Sequence, residues 1–336
     1  MPIRLLIGLL AAALSACAAL PTAEMPSLVA LTQPPPPICQ TDPTAVQCLL
    51  LTGAPLYVQT PDTKVAYQVF GHGPPLVLVH GWPLNRYTWR NLLPLLANQF
   101  TVYAFDIAGA GDTVWTEATD FSWPGQGKTL KAALDALKLP PYLVFAQDSG
   151  AVIARELALL DGARVLKLAM ANTEIPHHRP PQALVDAQSK MSLPPAALVG
   201  WLLRRKFADA EFLQTTDGFG DSFTDPSYVL GDFSKYVLAP IVQTKARSEG
   251  HRRFLAGWDW AELDSLKARH ATLTMPVLLI WGEDDRTFPL AQAEEMKTQF
   301  PNCVGLVRVP KGRLLIHEDH APEVAAALLG FFAAVP

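Results

Sequence analysis

The sequence predicts an α/β protein, a mostly parallel sheet wrapped by helices, with a helical insertion late in the chain. Three observations predict it. Short continuous apolar runs at 75–79, 142–146 and 277–281 have the character of strands covered on both faces. They alternate with helical segments, which gives a parallel sheet through right-handed crossovers. The alternation stops at about residue 176 and resumes at about residue 267, and the stretch between holds helix-like segments and no clear buried strand. Of the 336 residues half are hydrophobic and 17% charged, enough apolar surface for a large core.

The N-terminus differs in character from the rest of the chain. Arg4 precedes an apolar, Ala/Leu-rich stretch at 5–14, too short to span a bilayer comfortably and laid out as a secretory signal. Leu14-Ser15-Ala16-Cys17 resembles the lipobox of bacterial lipoproteins. The resemblance implies a signal at 1–17, acylation of Cys17, and a mature protein held by a lipid anchor on the periplasmic face of a bacterial membrane. Residues 18–55, rich in Pro and Thr and including Pro34-Pro35-Pro36-Pro37, read as an extended tether. Within it Cys39 and Cys48 are close enough to close a small loop in an oxidising compartment. Cys303 is left over and reads as a small buried hydrophobe.

Strands are expected at 56–60, 65–70, 75–79, 101–105, 142–146, 165–171, 277–281 and 305–309. Helices are expected at 86–98, 130–137, 152–160, 290–300 and 323–332, with 196–207 and 240–258 inside the insertion. The organisation is therefore a core of residues 56–175 and 267–336 and a helical cap at 176–266. A cap so placed lies over the C-terminal edge of the sheet, where open sheets hold their ligands. A net charge of −4, without a Lys/Arg run to mark a phosphate-binding stripe, offers no field for nucleic acid. No spacing of Cys or His suggests a metal site, and no cofactor is implied.

The strand at 142–146 runs through Ala146-Gln147-Asp148-Ser149-Gly150 directly into a helix. A nucleophile on such a turn needs small residues two before and two after it, because the backbone leaves no room for larger ones. Ala146 and Gly150 meet that need for Asp148, whereas a Ser149 nucleophile would put Gln147 in a small position. The helix start beside Asp148 also steadies a carboxylate. The plainer role for either residue is the helix N-cap.

These residues resemble the α/β-hydrolase family, in the branch of epoxide hydrolases and haloalkane dehalogenases that carry Asp at the elbow. His80-Gly81-Trp82-Pro83 and the Gly-rich turn 106–112 are similar to two further family segments. The resemblance implies Asp148 as nucleophile and the backbone N–H groups of Trp82 and Ser149 as the oxyanion hole. It implies Asp285, in Trp281-Gly282-Glu283-Asp284-Asp285, as the acid, with Glu174 as a second candidate. The family's His position falls on Leu314. His317 is the nearest substitute base and His320 the next, unless the site has none.

An Asp nucleophile suits attack on a saturated carbon, giving an alkyl ester that a base-activated water then hydrolyses. Related dehalogenases carry Trp directly after the nucleophile, where this chain has Ser149. Epoxide hydrolases use acidic donors from the cap, for which Tyr236, Tyr228 and His177, with His178 beside it, are available. The expected function is an epoxide hydrolase-like enzyme for a small apolar substrate. Alternatives are a haloalkane dehalogenase, a serine ester hydrolase using Ser149, and a non-catalytic binding lipoprotein.

Overall fold

Nine strands form one sheet in the computed structural model, which describes residues 36–192 and 196–333. The signal segment, Cys17 and residues 18–35 of the expected tether lie outside the described residues. In chain order the strands are β1 (Leu56–Gln59), β2 (Thr63–Gly71), β3 (Pro75–Val79), β4 (Thr101–Phe105), β5 (Val114–Trp115), β6 (Tyr142–Gln147), β7 (Val165–Ala171), β8 (Val277–Gly282) and β9 (Cys303–Val309). Their spatial order is β1-β2-β4-β3-β6-β7-β8-β9, with the two-residue β5 beside β2. From β4 to β9 every neighbouring pair is parallel, while β1, β2 and β4 pair antiparallel.

The pleat divides each central strand between two cores. Val77, Val79, Val144 and Ala146 face one, shared with the helices Trp123–Ala136 and Ser149–Asp161. Leu76, Leu78, Leu143 and Phe145 face the other, shared with the helices Leu93–Leu96 and Ala321–Phe332. Burial on both faces is why these strands read as unbroken apolar runs instead of alternating ones.

The tether expectation is corrected over its second half. Residues 37–52 form two short helices, Pro37–Thr41 and Val46–Thr52, joined by a Cys39–Cys48 disulfide. Leu50 is fully buried in the second core, and Gln68 of β2 donates to the carbonyls of Leu49 and Gly53. Pro-rich composition hid a docked segment whose deep contacts, Leu50 with Val46 one turn before it and the disulfide Cys48, are too few to read as a period.

The helix expected at 86–98 is also broken, into a 3₁₀ turn, Arg86–Arg90, and the single turn Leu93–Leu96. Buried ion pairs fix the first turn: Arg86 with Asp106, and Arg90 with Glu318 at 2.8 Å. Asp106 also accepts from the Arg86 backbone N–H at 2.7 Å, so the Gly-rich turn and the segment after Trp82 are locked together.

Between β7 and β8 the described residues carry only helices, including Gln182–Lys190, Ala196–Phe207, the π-helix Phe233–Leu238 and Trp260–Arg269. The expected helix at 240–258 is two, Ala239–Gln243 and Lys245–Ala256. Thr244 is extended and its hydroxyl accepts from Arg247 N–H, so it caps a new helix instead of continuing the old one. A third core of Leu84, Leu213, Phe223, Phe233, Val237 and Leu315 joins this region to the loops at the sheet's C-terminal edge.

Leu50→Ala should lower unfolding stability by about 2–4 kcal/mol, and Cys48→Ser by about 2–3 kcal/mol for so short a loop. Denaturant titration measures both; a free tether would leave the midpoint unmoved.

Candidate active site

β6 delivers Asp148 to the C-terminal edge of the sheet on a backbone of φ 53°, ψ −144°, strained for a residue with a Cβ. The turn is held by its neighbours: Asp148 N–H donates to the carbonyls of Ala171 and Asn172 at 3.1 and 3.0 Å, and Asp148 O accepts from Ala151 N–H at 2.8 Å. A Cβ on Gly150 would overlap the carbonyls of Val79 and His80, and one on Gly81 would overlap the Asp148 carboxylate itself. The carboxylate therefore lies directly over the Gly81 backbone and is 7% exposed.

Trp82 and Ser149, whose backbone N–H groups are expected to face an oxyanion, lie beside it, with the Trp82 N–H directed at the Ser149 side chain. Trp82 N–H donates to Ser149 Oγ at 2.8 Å, and that hydroxyl donates in turn to Asp148 Oδ2 at 3.4 Å. The Trp82 indole N–H donates to the His251 carbonyl at 2.9 Å, fastening the helix Lys245–Ala256 over the site. His80 contributes structure: Nδ1 lies 2.9 Å from Gly81 O and Nε2 accepts from Ile107 N–H.

Three carboxyl groups gather here. Asp285, after β8, accepts from Asn172 Nδ2 at 2.6 Å and from the N–H groups of Thr287 and Phe288, yet burial still pushes it up to about 6. Glu174, after β7, is pushed up to about 7 by burial; Thr173 donates to its Oε2, and its Oε1 is buried without a partner. Asp148 is raised well above the usual carboxylate range by burial first, then by the charge of Glu174, with a smaller contribution from Asp285. Arg155, buried nearby, directs its terminal hydrogen bonds at Thr173 Oγ1 and the Glu174 carbonyl, not at the carboxylate.

The expected pairing of His317 with Asp285 is absent. His317 is fully buried with Nε2 at 2.7 Å from Thr88 Oγ1, and since that hydroxyl donates to Glu318, the imidazole is the donor. Its ring packs 4.8 Å from Trp89, Nδ1 has no partner, and burial lowers its pKa to about 3. The reason is the turn geometry. Leu314 O accepts from Gln147, placing Leu314 beside the elbow, and the short helix Ile316–Asp319 carries His317 back toward Thr88. His320 bonds Thr224 Oγ1 at 2.8 Å, away from the elbow.

The cap donors separate clearly. Tyr228 accepts from Asn91 and donates to the Glu318 carbonyl, beside an open groove of about 360 Å³ lined also by Arg90 and Gln47. His177 and His178 sit at the surface against Asp264 and Glu295. Tyr236 alone keeps a buried hydroxyl with no partner. Among the described residues no group of three or more His, Cys, Asp or Glu is placed to hold a metal.

Two residues escaped sequence reasoning. Asn172, at φ 37°, ties Asp285 to the β7 end; its place directly after a parallel strand was the available signal. His251 is buried with Nδ1 unpartnered and its pKa lowered to about 3, but it stands in the polar run 245–253, where nothing marks it.

The alpha/beta hydrolase fold family matches residues 74–321, and the chain belongs to that family. The chain is 29% identical over 275 residues to haloalkane dehalogenase 2 of Mycobacterium bovis, covering 80% of this chain and 91% of that one. It is 24% identical over 311 residues to epoxide hydrolase 4 of Mus musculus, covering 88% and 82% respectively. A solved alpha/beta hydrolase fold protein from Burkholderia ambifaria superposes with a TM-score of 0.67 at 28% identity, covering 82% of this chain and 97% of that one. With such relatives the chain is an enzyme of α/β-hydrolase type.

The carboxyl cluster makes a stability prediction. Because the folded pKa of Glu174 is raised from 4.5 to about 7, its contribution to stability is full below about pH 4.5 and is lost as pH rises through about 7. Glu174→Gln should therefore match the parent's melting temperature near pH 4.5 and exceed it by several degrees at pH 8. Thermal scans across that range measure the difference.

Proposed function

We propose that the protein hydrolyses a small apolar epoxide through an ester formed on Asp148. The observation that carries this reading is the elbow: Asp148, not Ser149, occupies the positive-φ position, with its carboxylate over Gly81. Ser149 belongs to the helix, and no imidazole is bonded to its hydroxyl, which disfavours the serine-esterase alternative. The ionised carboxylate attacks a ring carbon, the C–O bond breaks, and the ring oxygen leaves as an alkoxide that needs a proton. Tyr236, the cap candidate whose buried hydroxyl has no partner, is the donor we propose for that proton, and the absence of Trp after the nucleophile favours the epoxide over the haloalkane.

Hydrolysis of the ester needs a base. With Leu314 in the imidazole position and His317 committed to Thr88, that role falls to Glu174. Its unpartnered Oε1 and its pKa of about 7 suit it to take a proton from water near neutrality. A second reading has its own support: Asp285 is held by Asn172, Thr287 and Phe288 and no imidazole is bonded to it, so the chain forms the ester and stops.

A reactive epoxide followed by intact mass spectrometry tests both readings. Asp148→Ala should show neither turnover nor adduct. Glu174→Gln should accumulate one adduct per chain while the parent turns over; a parent that stalls as the adduct supports the second reading. Turnover in heavy-oxygen water should label Asp148, and an unlabelled Asp148 with sustained turnover refutes the ester. Because burial first, and the charge of Glu174 after it, hold the Asp148 pKa high, the alkylation rate should rise with pH well beyond the ordinary carboxylate range, as single-turnover adduct formation would record.

A further inference from the structure

The expectation that no Lys/Arg run exists overlooks Arg204-Arg205-Lys206, at the end of the helix Ala196–Phe207. Every other described arginine except the buried Arg155 reaches a carboxylate. Arg204 and Arg205 reach none among the described residues. Arg205 lies over the Trp201 ring at 5.1 Å and Lys206 over the Phe212 ring at 4.6 Å. The nearest acidic side chain in sequence, Asp209, is engaged in capping the next helix through the N–H groups of Glu211 and Phe212.

The same face is apolar. Trp201 and Leu202 are 39% and 48% exposed, and helical spacing stacks Trp201 with Arg205 and Leu202 with Lys206. An exposed Trp and Leu beside uncompensated cations is the composition of a helix that lies on an anionic bilayer, rings and alkyl stems among the acyl boundary and cations among the phosphates. On a chain of net charge −4 this local reversal of sign complements a phosphate-rich surface.

The opposite side of this helix end points to the site. Phe207 is buried, with its ring centroid 6.3 Å from that of Trp82, whose N–H is bonded to Ser149 beside Asp148. One helix thickness, about 10 Å, thus separates the exposed face from the wall of the site. From this geometry we infer that the cap docks on an anionic lipid surface through Trp201, Leu202, Arg205 and Lys206. An apolar substrate dissolved in the bilayer then meets the enzyme at the helix that borders its site.

The test uses the full chain carrying Cys17→Ser, so that no acyl group at that position contributes. Cosedimentation should show more binding to vesicles of phosphatidylethanolamine and phosphatidylglycerol than to phosphatidylcholine, and less binding as salt is raised. Arg205→Gln with Lys206→Gln should reduce the partition coefficient roughly 25-fold, at ~5-fold for each cation. Trp201→Ala should weaken binding without removing the salt dependence. Unchanged circular dichroism melts show the variants fold. Equal binding of parent and double variant, or indifference to lipid charge, overturns the proposal. So does a dimer, seen without lipid by analytical ultracentrifugation and abolished by Trp201→Ala, which would make this face a contact between two copies.

Discussion

The approach of two backbones at the C-terminal edge of the sheet governs the site. Gly150 presses on the carbonyls of Val79 and His80, and Gly81 lies under the Asp148 carboxylate, each without room for a Cβ. The approach requires β3 and β6 to be adjacent and parallel, which the register Val79 with Ala146 provides. The positive φ of Asp148 is tolerated because two carbonyls accept its N–H and the following helix begins at once. Slippage by one residue would exchange the core faces of β6 and remove the carboxylate from the edge.

A carboxylate buried as deeply as that of Asp148 has an electrostatic cost, and the neighbourhood adds to it. Glu174 and Asp285 raise the charge burden on Asp148, while the nearby cation, Arg155, is directed at neutral acceptors. Burial raises the pKa of each of the three carboxyl groups. Leu314, not an imidazole, lies beside the elbow, and the carboxyl groups of Asp148, Glu174 and Asp285 share the site. Such a cluster titrates as a unit, so a change at one member shifts the others.

The long loops are positioned by buried charge as much as by apolar packing. Arg86 joins Asp106 and Asp112, Arg90 joins Glu318, and Arg247 reaches Asp112 from the insertion. These pairs draw the segment after Trp82, the Gly-rich turn and the last loop together, and so place His317 with Thr88 and Glu318 and not with Asp285. Losing one partner of the Arg86–Asp106 or Arg90–Glu318 pair leaves a buried charge uncompensated, so these contacts specify geometry more than they add stability.

The positions of the main strands along the chain and the elbow were legible in the sequence because both depend on local rules. Continuous apolar runs mark doubly covered strands, and small residues flanking Asp148 mark a turn that admits nothing larger. The helix 196–207 was also fully legible, being a single uninterrupted amphipathic stretch. Most of what the sequence could not determine depended on contacts far apart in the chain, and one feature on a local cap. Leu50 docks on a core assembled from later strands, Thr244 divides a helix through a local cap that periodicity does not register, and the direction of His317 follows from Thr88, 229 residues away. Residue type and spacing state which groups are available. Their partners are chosen only when tertiary packing decides which polar atoms are buried together, because a buried donor must be satisfied wherever the fold leaves it.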